Sequence, residues 1–155
     1  MQTLDQAISA APIFDGLADR HLDALVRVAR EQQTPAGADL LRAGEPAARF
    51  YLIREGTVAL EVSAPGRGAI LIETLGAGEI TGFSWLFEPY EWQFDARATT
   101  PLRLVSFDGA ALRAACDADH ELGYQLMRRF AATAIGRLQA TRLQLIDIYG
   151  NPRSG

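Results

Sequence analysis

"PAGADLLRAGEPAARFYLIREGTVAL" occupies residues 35–60, and its glycines decide how it folds. Gly37, Gly44 and Gly56 interrupt it at close intervals. Between them stand short runs such as Phe50-Tyr51-Leu52-Ile53 and Val58-Ala59-Leu60. Short stretches rich in aromatic and aliphatic residues, bounded by Gly and Pro, read as strands joined by tight turns. The pattern continues outward through "VALEV" (58–62), "AILIETL" (69–75) and "ATTPLRLVSF" (98–107). Gly66, Gly68, Gly76 and Gly78 punctuate it further, and Pro101 marks an edge or bend. The fold class that follows is mainly β with flanking α: an antiparallel roll of the jelly-roll kind.

Helical periods lie on both sides. "LADRHLDALVRVAR" (17–30) places Leu22, Leu25, Val26 and Ala29 on one face, with Asp19 near the positive end of the helix dipole. After Phe107 the period changes again. Asp108 is placed to cap a short helix through "GAALRAAC". A long pattern then runs from about Asp119 to Tyr149, with Leu122, Leu126, Phe130, Ala134, Leu138, Leu145 and Tyr149 recurring and no Pro before Pro152. Such a helix spans roughly 45 Å, longer than one face of a small domain covers. Leu126, Phe130, Ala134, Leu138 and Leu145 are therefore expected to form a homodimer seam, with a helix packed wholly on its own roll as the alternative.

Bulk composition narrows the function classes. A chain of 155 residues, 48% hydrophobic and 22% charged, reads as a single domain over 1–155: about 13–108 for helix and roll, 109–149 for the C-terminal helices. No apolar run approaches the ~20 residues of a membrane span, and the N-terminus has no basic segment of the secretory kind. The single Cys116 fits a reducing cytoplasm, and Asp117 and Asp119 beside it should raise its thiol pKa. A net charge of −4 argues against a nucleic-acid binder. All fifteen basic residues are arginine.

The ordered set of Gly37, Gly44, Tyr51-Leu52-Ile53 and Gly56 resembles the β-roll of cyclic nucleotide-binding domains of the Crp/Fnr type. "IFDGLADRHLDAL" resembles the helix before that roll, "GAGEITG" the entry to its phosphate-binding cassette, and "ARATTPLRLVSFDGAALRA" the strand and helix that follow. The similarity runs from about Ile13 to Tyr149. It implies a sensor that holds a ribose 2′-hydroxyl with a Glu after the cassette Gly, and a cyclic phosphate with an Arg about ten residues later. The cassette Gly matches Gly82, and the next residue is Phe83. Counted back from "ARATT", the Arg position falls at or beside Trp92. Gly78-Glu79 matches the turn before the cassette, not the ribose site.

Removing the partner of a buried charge typically costs ~3–5 kcal/mol, on the order of 10²–10⁴ in affinity. Glu88, Glu91 and Asp95 make the local field worse for an anion, and Arg97, expected to point outward, is the only cation between Gly78 and Thr100. The expected ligand-pocket residues are Gly82, Phe83, Ser84, Trp85, Trp92, Gln93 and Phe94. Three readings stay open. The rings fill the old pocket as core, or they line a pocket re-tuned for a neutral or aromatic ligand, or they form a docking patch rimmed by Ser84, Glu91 and Gln93.

Other chemistry is weakly signalled. The roll resembles the wider cupin-like barrels, some of which are metal enzymes, but those need converging histidines. Here His21 and His120 fall on helical segments outside the roll. No catalytic residues, metal site or cofactor are expected. Glu73 and Asp108 have no visible partner for acid–base work. The chain ends at "IDIYGNPRSG" without a helix-turn-helix, so sequence-specific DNA binding by the chain alone is not expected. Arg128, Arg129, Arg137 and Arg142 read as a solvated basic strip. The expectation is a non-enzymatic, cytoplasmic regulatory or ligand-sensing module, homodimeric, that does not bind cyclic AMP or GMP in the usual way. A cyclic nucleotide sensor with atypical contacts is the alternative, and a cupin-like metal enzyme the more distant one.

Overall fold

The computed structural model describes residues 2–149, with side chains as far as residue 143. The described residues form eight strands: β1 (Ala29–Thr34), β2 (Asp39–Leu41), β3 (Arg49–Glu55), β4 (Val58–Ala64), β5 (Gly68–Leu75), β6 (Ile80–Thr81), β7 (Asp95–Ala98) and β8 (Leu102–Asp108). They make two antiparallel sheets, ordered β1-β8-β3-β6 and β2-β7-β4-β5. Helices α1 (Leu4–Ala10) and α2 (Asp19–Arg27) precede the strands; α3 (Gly109–Ala118) and α4 (His120–Tyr149) follow them.

The glycine punctuation has a geometric basis. Gly56 turns β3 into β4 at φ +101°, and a Cβ there would stand 2.5 Å from the carbonyl oxygen of Pro101. Only glycine accepts both the left-handed backbone and that approach. Alternation holds where a sheet has one wet face: in β7, Ala96 and Ala98 are buried while Asp95 and Arg97 are not. Arg97 pairs outside the roll with Glu61 at 3.3 Å.

The core is aromatic at the end nearest the helices. Phe50 stacks on Phe107 and on Trp85, both with centroids 4.6 Å apart, and Phe130 of α4 meets Phe50 edge-on at 5.4 Å. Each such ring contributes a few kcal/mol by burial. Asp108 caps α3, its Oδ1 accepting the Ala111 amide at 3.0 Å.

Three elements differ from expectation. The helix read over 17–30 ends at Arg27, and Ala29 instead opens β1, paired with Phe107. The edge strand "AREQQT" is too polar to show a strand period. Helix α1 was not anticipated. Its signal is a capping box, in which Thr3 Oγ1 accepts the Gln6 amide and Gln6 Oε1 accepts the Thr3 amide.

The third difference concerns α4. Leu122, Leu126 and Phe130, at most 1% exposed, pack into the chain's own core. Leu126 and Phe130 are therefore not free for a dimer seam. At about 100° per residue, steps of four advance the stripe about 40° each. From Leu122 to Leu138 it winds through about 160°, so a line that starts on the roll ends near the opposite side. Leu138 is 60% exposed and Ala134 half-buried. The side chain of Leu145 lies outside the described residues. Among the described residues, no helix is long and apolar enough to cross a membrane.

Candidate functional site

The cassette lies between β6 and β7. Gly82 follows β6 at φ +78°, Phe83 comes next, and Ser84–Leu86 make one 3-10 turn. The returning loop is pinned to the β2–β3 connection: the Trp92 amide donates to the Glu45 carbonyl at 3.0 Å, and the Trp92 carbonyl accepts from the Gly44 amide at 2.8 Å. Held there, the indole lies across Gly82. A Cβ on Gly82 would stand 2.2 Å from Cζ3 of Trp92 and 2.7 Å from Cη2. Trp92 is 5% exposed.

The other expected residues separate around this contact. Trp85 is fully buried, but beneath the cassette, stacked on Phe50 and edge-on to Phe130 at 5.3 Å. Phe83 is half-buried, its ring edge-on to Phe130 at 6.1 Å. Ser84 starts the 3-10 turn and is half-buried. Gln93 and Phe94 are exposed and do not join the group. A bend at these two residues precedes β7 and breaks the alternation that would have turned Phe94 inward.

Two arginines from the C-terminal helices reach the cassette, and neither was anticipated. Arg113 of α3 donates to the Trp85 carbonyl at 2.6 Å, with its guanidinium 4.0 Å from the Tyr90 ring centroid. Arg137 of α4 donates to the Ile80 carbonyl, faces the Phe83 ring at 4.7 Å, and comes within 3.5 Å of Glu73 on β5. Glu73 thus has an ionic partner that its sequence position did not disclose. That approach is a charge contact rather than a directed hydrogen bond, since Glu73 Oε2 has no hydrogen-bond partner. Burial raises the Glu73 pKa against the pull of Arg137, and burial lowers that of Arg137 against Glu73 and Glu79. Arginine nonetheless stays charged. The available signal was helical: Phe130, Thr133 and Arg137 follow one another at three- and four-residue steps on the roll-facing side.

A groove of about 640 Å³ opens beside this pair, between α4, the Pro12–Phe14 turn and the β5–β6 connection; Glu79, Arg129 and Thr133 line it. The two histidines stay away from the cassette. His21 is buried in α2, 3.9 Å from Asp119, and His120 opens α4. Among the described residues, no three of His, Cys, Asp and Glu cluster so as to hold a metal.

Cys116 is half-buried in α3, where burial first, then Asp117 and Asp119, pushes its thiol pKa up to about 11. The thiolate fraction at neutral pH is then about a hundredfold below that of an ordinary cysteine. Iodoacetamide should label Cys116 slowly at pH 7, with a rate that keeps rising toward pH 11. Fast labelling that levels off near pH 8 would contradict this environment.

The model of the cyclic nucleotide-binding domain family matches residues 31–119. A CRP-like cAMP-activated global transcriptional regulator of Mycobacterium tuberculosis is 30% identical over 145 residues, covering 94% of this chain and 63% of its own length. A cyclic nucleotide-gated potassium channel of Mesorhizobium japonicum is 29% identical over 126 residues, 81% of this chain and 33% of the channel. The crystal structure of a protein from Geobacter metallireducens, provisionally described as cyclic nucleotide-binding, superposes with a TM-score of 0.78 at 29% identity, covering 88% of this chain and 99% of that one. The chain therefore spans less than two thirds of the curated regulators and channels it matches.

Proposed function

The chain belongs to the cyclic nucleotide-binding domain family, and from that premise we propose that it is a non-enzymatic regulatory module whose cassette is closed to cyclic AMP and cyclic GMP in the family's usual mode. The observation that carries this reading is the Trp92 indole lying across Gly82. Phe83 stands where the resemblance places the ribose acid, and Trp92 where it places the phosphate arginine. A cyclic phosphate entering here meets a ring at the Trp92 position. The two arginines nearby are already engaged, Arg113 by the Trp85 carbonyl and the Tyr90 ring, Arg137 by the Ile80 carbonyl and Glu73, and Glu88 and Glu91 are exposed on the same loop. The self-filled cassette is favoured over the re-tuned pocket and the docking patch because Trp92 and Trp85 are both buried. Phe87, Phe94 and Gln93 remain outside, where a protein partner would meet them.

Calorimetric titration with cyclic AMP and cyclic GMP, at neutral pH and modest salt, tests the reading. The expected result is no heat assignable to binding below the high-micromolar range. A dissociation constant in the low micromolar range or tighter would instead establish the second reading, a cyclic nucleotide sensor with atypical contacts. What favours that reading is the 30% identity to regulators described as cAMP-activated.

We further propose that the module works as a homodimer through α4. Tyr124, Met127, Ile135 and Leu138 are exposed and lie along the side of α4 opposite Leu122, Leu126 and Phe130. With half-buried Ala131 between them, they step by three and four residues, the spacing of a coiled-coil seam. A change in the cassette would reach the partner through the roll-facing contacts of the same helix.

A further inference from the structure

Arg137 sits in the latter half of α4, about 10 Å along the axis beyond Phe130, the last of the helix's fully buried core residues. A solvated arginine there would need nothing from the roll. Instead its side chain is 11% exposed. Its surroundings come from three successive pieces of the cassette region: the Glu73 carboxylate from β5, the Ile80 carbonyl from β6, and the Phe83 ring face. A carboxylate, a carbonyl oxygen and an aromatic face attract the same kind of ligand. The first two accept hydrogen bonds from N–H groups, and the third draws a flat cation to its negative face. Glu79, lining the same groove, adds a second negative charge.

We propose that the edge of the altered cassette, where Glu73 of β5, the Ile80 carbonyl of β6 and Phe83 converge, is a guanidinium receptor, and that its occupant is Arg137 of the chain's own helix α4. This rests on the reading that the cassette is closed to cyclic nucleotides, and extends it by saying what its edge holds. Phe83 then has a role beyond the loss of an acid. A phenyl ring offers a stacking face that a planar guanidinium uses and an ammonium uses less well. Glu73 supplies the compensating charge, its Oε2 buried and without a hydrogen bond of its own. The cassette, and not only the hydrophobic core, thereby ties the far half of α4 to the roll. A guanidinium-bearing small molecule or a partner's arginine is the class of ligand able to compete for the site.

Emptying the receptor tests this. Arg137→Ala should bind methylguanidinium at millimolar concentration, read by shifts in the amide NMR signals of residues 73, 80 and 83. The parent chain, with its site filled, should bind it at least tenfold more weakly. Adding Glu73→Gln to Arg137→Ala should weaken the binding again, and methylammonium should substitute poorly. Arg137→Gln serves as the second variant if Arg137→Ala does not fold; refolding of either by millimolar methylguanidinium also supports the receptor. Failure of methylguanidinium to bind or restore either variant, or equal binding to the parent, overturns the proposal. Cyclic AMP titration of the parent keeps the two readings apart. Tight binding there defeats the closed cassette; absence of both ligands defeats the receptor alone.

Discussion

Replacing Trp92 with alanine lowers the unfolding free energy by about 3–5 kcal/mol in a urea melt, the range for deleting a buried aromatic ring. The basis is a ring only 5% exposed, anchored by backbone hydrogen bonds to Gly44 and Glu45 and laid on Gly82. Phe83→Ala costs less, about 1–2 kcal/mol, because that ring is half-buried. A sharper form uses Gly82. In the parent, Gly82→Ala forces a methyl into the indole, worth about 1–3 kcal/mol of overpacking. It also imposes φ +78° on a residue with a Cβ, for about 1–2 kcal/mol more. In the Trp92→Ala background only the second cost remains. The double variant should therefore be about 1–3 kcal/mol more stable than the sum of the single losses predicts. Additivity within about 0.5 kcal/mol would mean that the two residues do not touch. A Trp92→Ala cost below about 0.5 kcal/mol would mean the ring is surface, and a docking patch would replace the filled cassette.

The roll was legible because its turns need glycine. Gly37, Gly44 and Gly56 all adopt positive φ, and a residue type that marks a backbone conformation can be read without knowing its neighbours. The cap of α3 by Asp108 was legible for the same reason, since the capping bond spans three residues. Strand β1 was not. Its pairing with β8 joins Ala29 to Phe107 across 78 positions, and nothing local in "AREQQT" announces that partner. The cassette was half legible. That Trp85 and Trp92 are buried follows from their large apolar rings. Arg113 and Arg137 could not be placed, because α4 is brought in by Phe130 packing on Trp85 and α3 by the close approach of Gly109 to the same tryptophan. Between residues 78 and 100 the sequence offers Arg97 alone, yet a site need not be contiguous in sequence. Arg113 on the short α3 and Arg137 on the long α4 both arrive from beyond that stretch. The stripe on α4 was misassigned for a related reason: steps of four keep residues adjacent along a helix, yet rotate them steadily around it.

Leu138→Glu and Phe130→Ala should then act on different equilibria, although both alter apolar residues of the same helix. Phe130 is 1% exposed and touches Phe50, Phe83 and Trp85 within its own chain. Truncating it costs about 3–5 kcal/mol of folding stability, whatever the oligomeric state. Leu138 is 60% exposed in the single chain, so Leu138→Glu shifts the stability of an isolated chain by no more than about 0.5 kcal/mol. In a two-fold seam the same change buries a carboxylate without a partner, at about 3–5 kcal/mol, which weakens association on the order of 10²–10⁴-fold. Sedimentation velocity across a concentration series reads that loss directly, and a urea melt of Leu138→Glu under dissociating conditions reads the unchanged fold. Ile135→Glu, on the same exposed side, should reproduce it. A parent chain that stays monomeric at high micromolar concentration would remove the seam and leave that face of α4 for a different protein. A Leu138→Glu variant that keeps the parent's dimer constant would place the contact elsewhere. Because Arg137 is the residue immediately before Leu138, facing the cassette while Leu138 faces away, a rotation of α4 that withdrew the guanidinium would also turn the proposed seam. The Arg137→Ala variant should for that reason change the dimer's dissociation constant without altering a single seam residue, and Leu138→Glu should leave the Arg137 contacts with Glu73 and Phe83 in place.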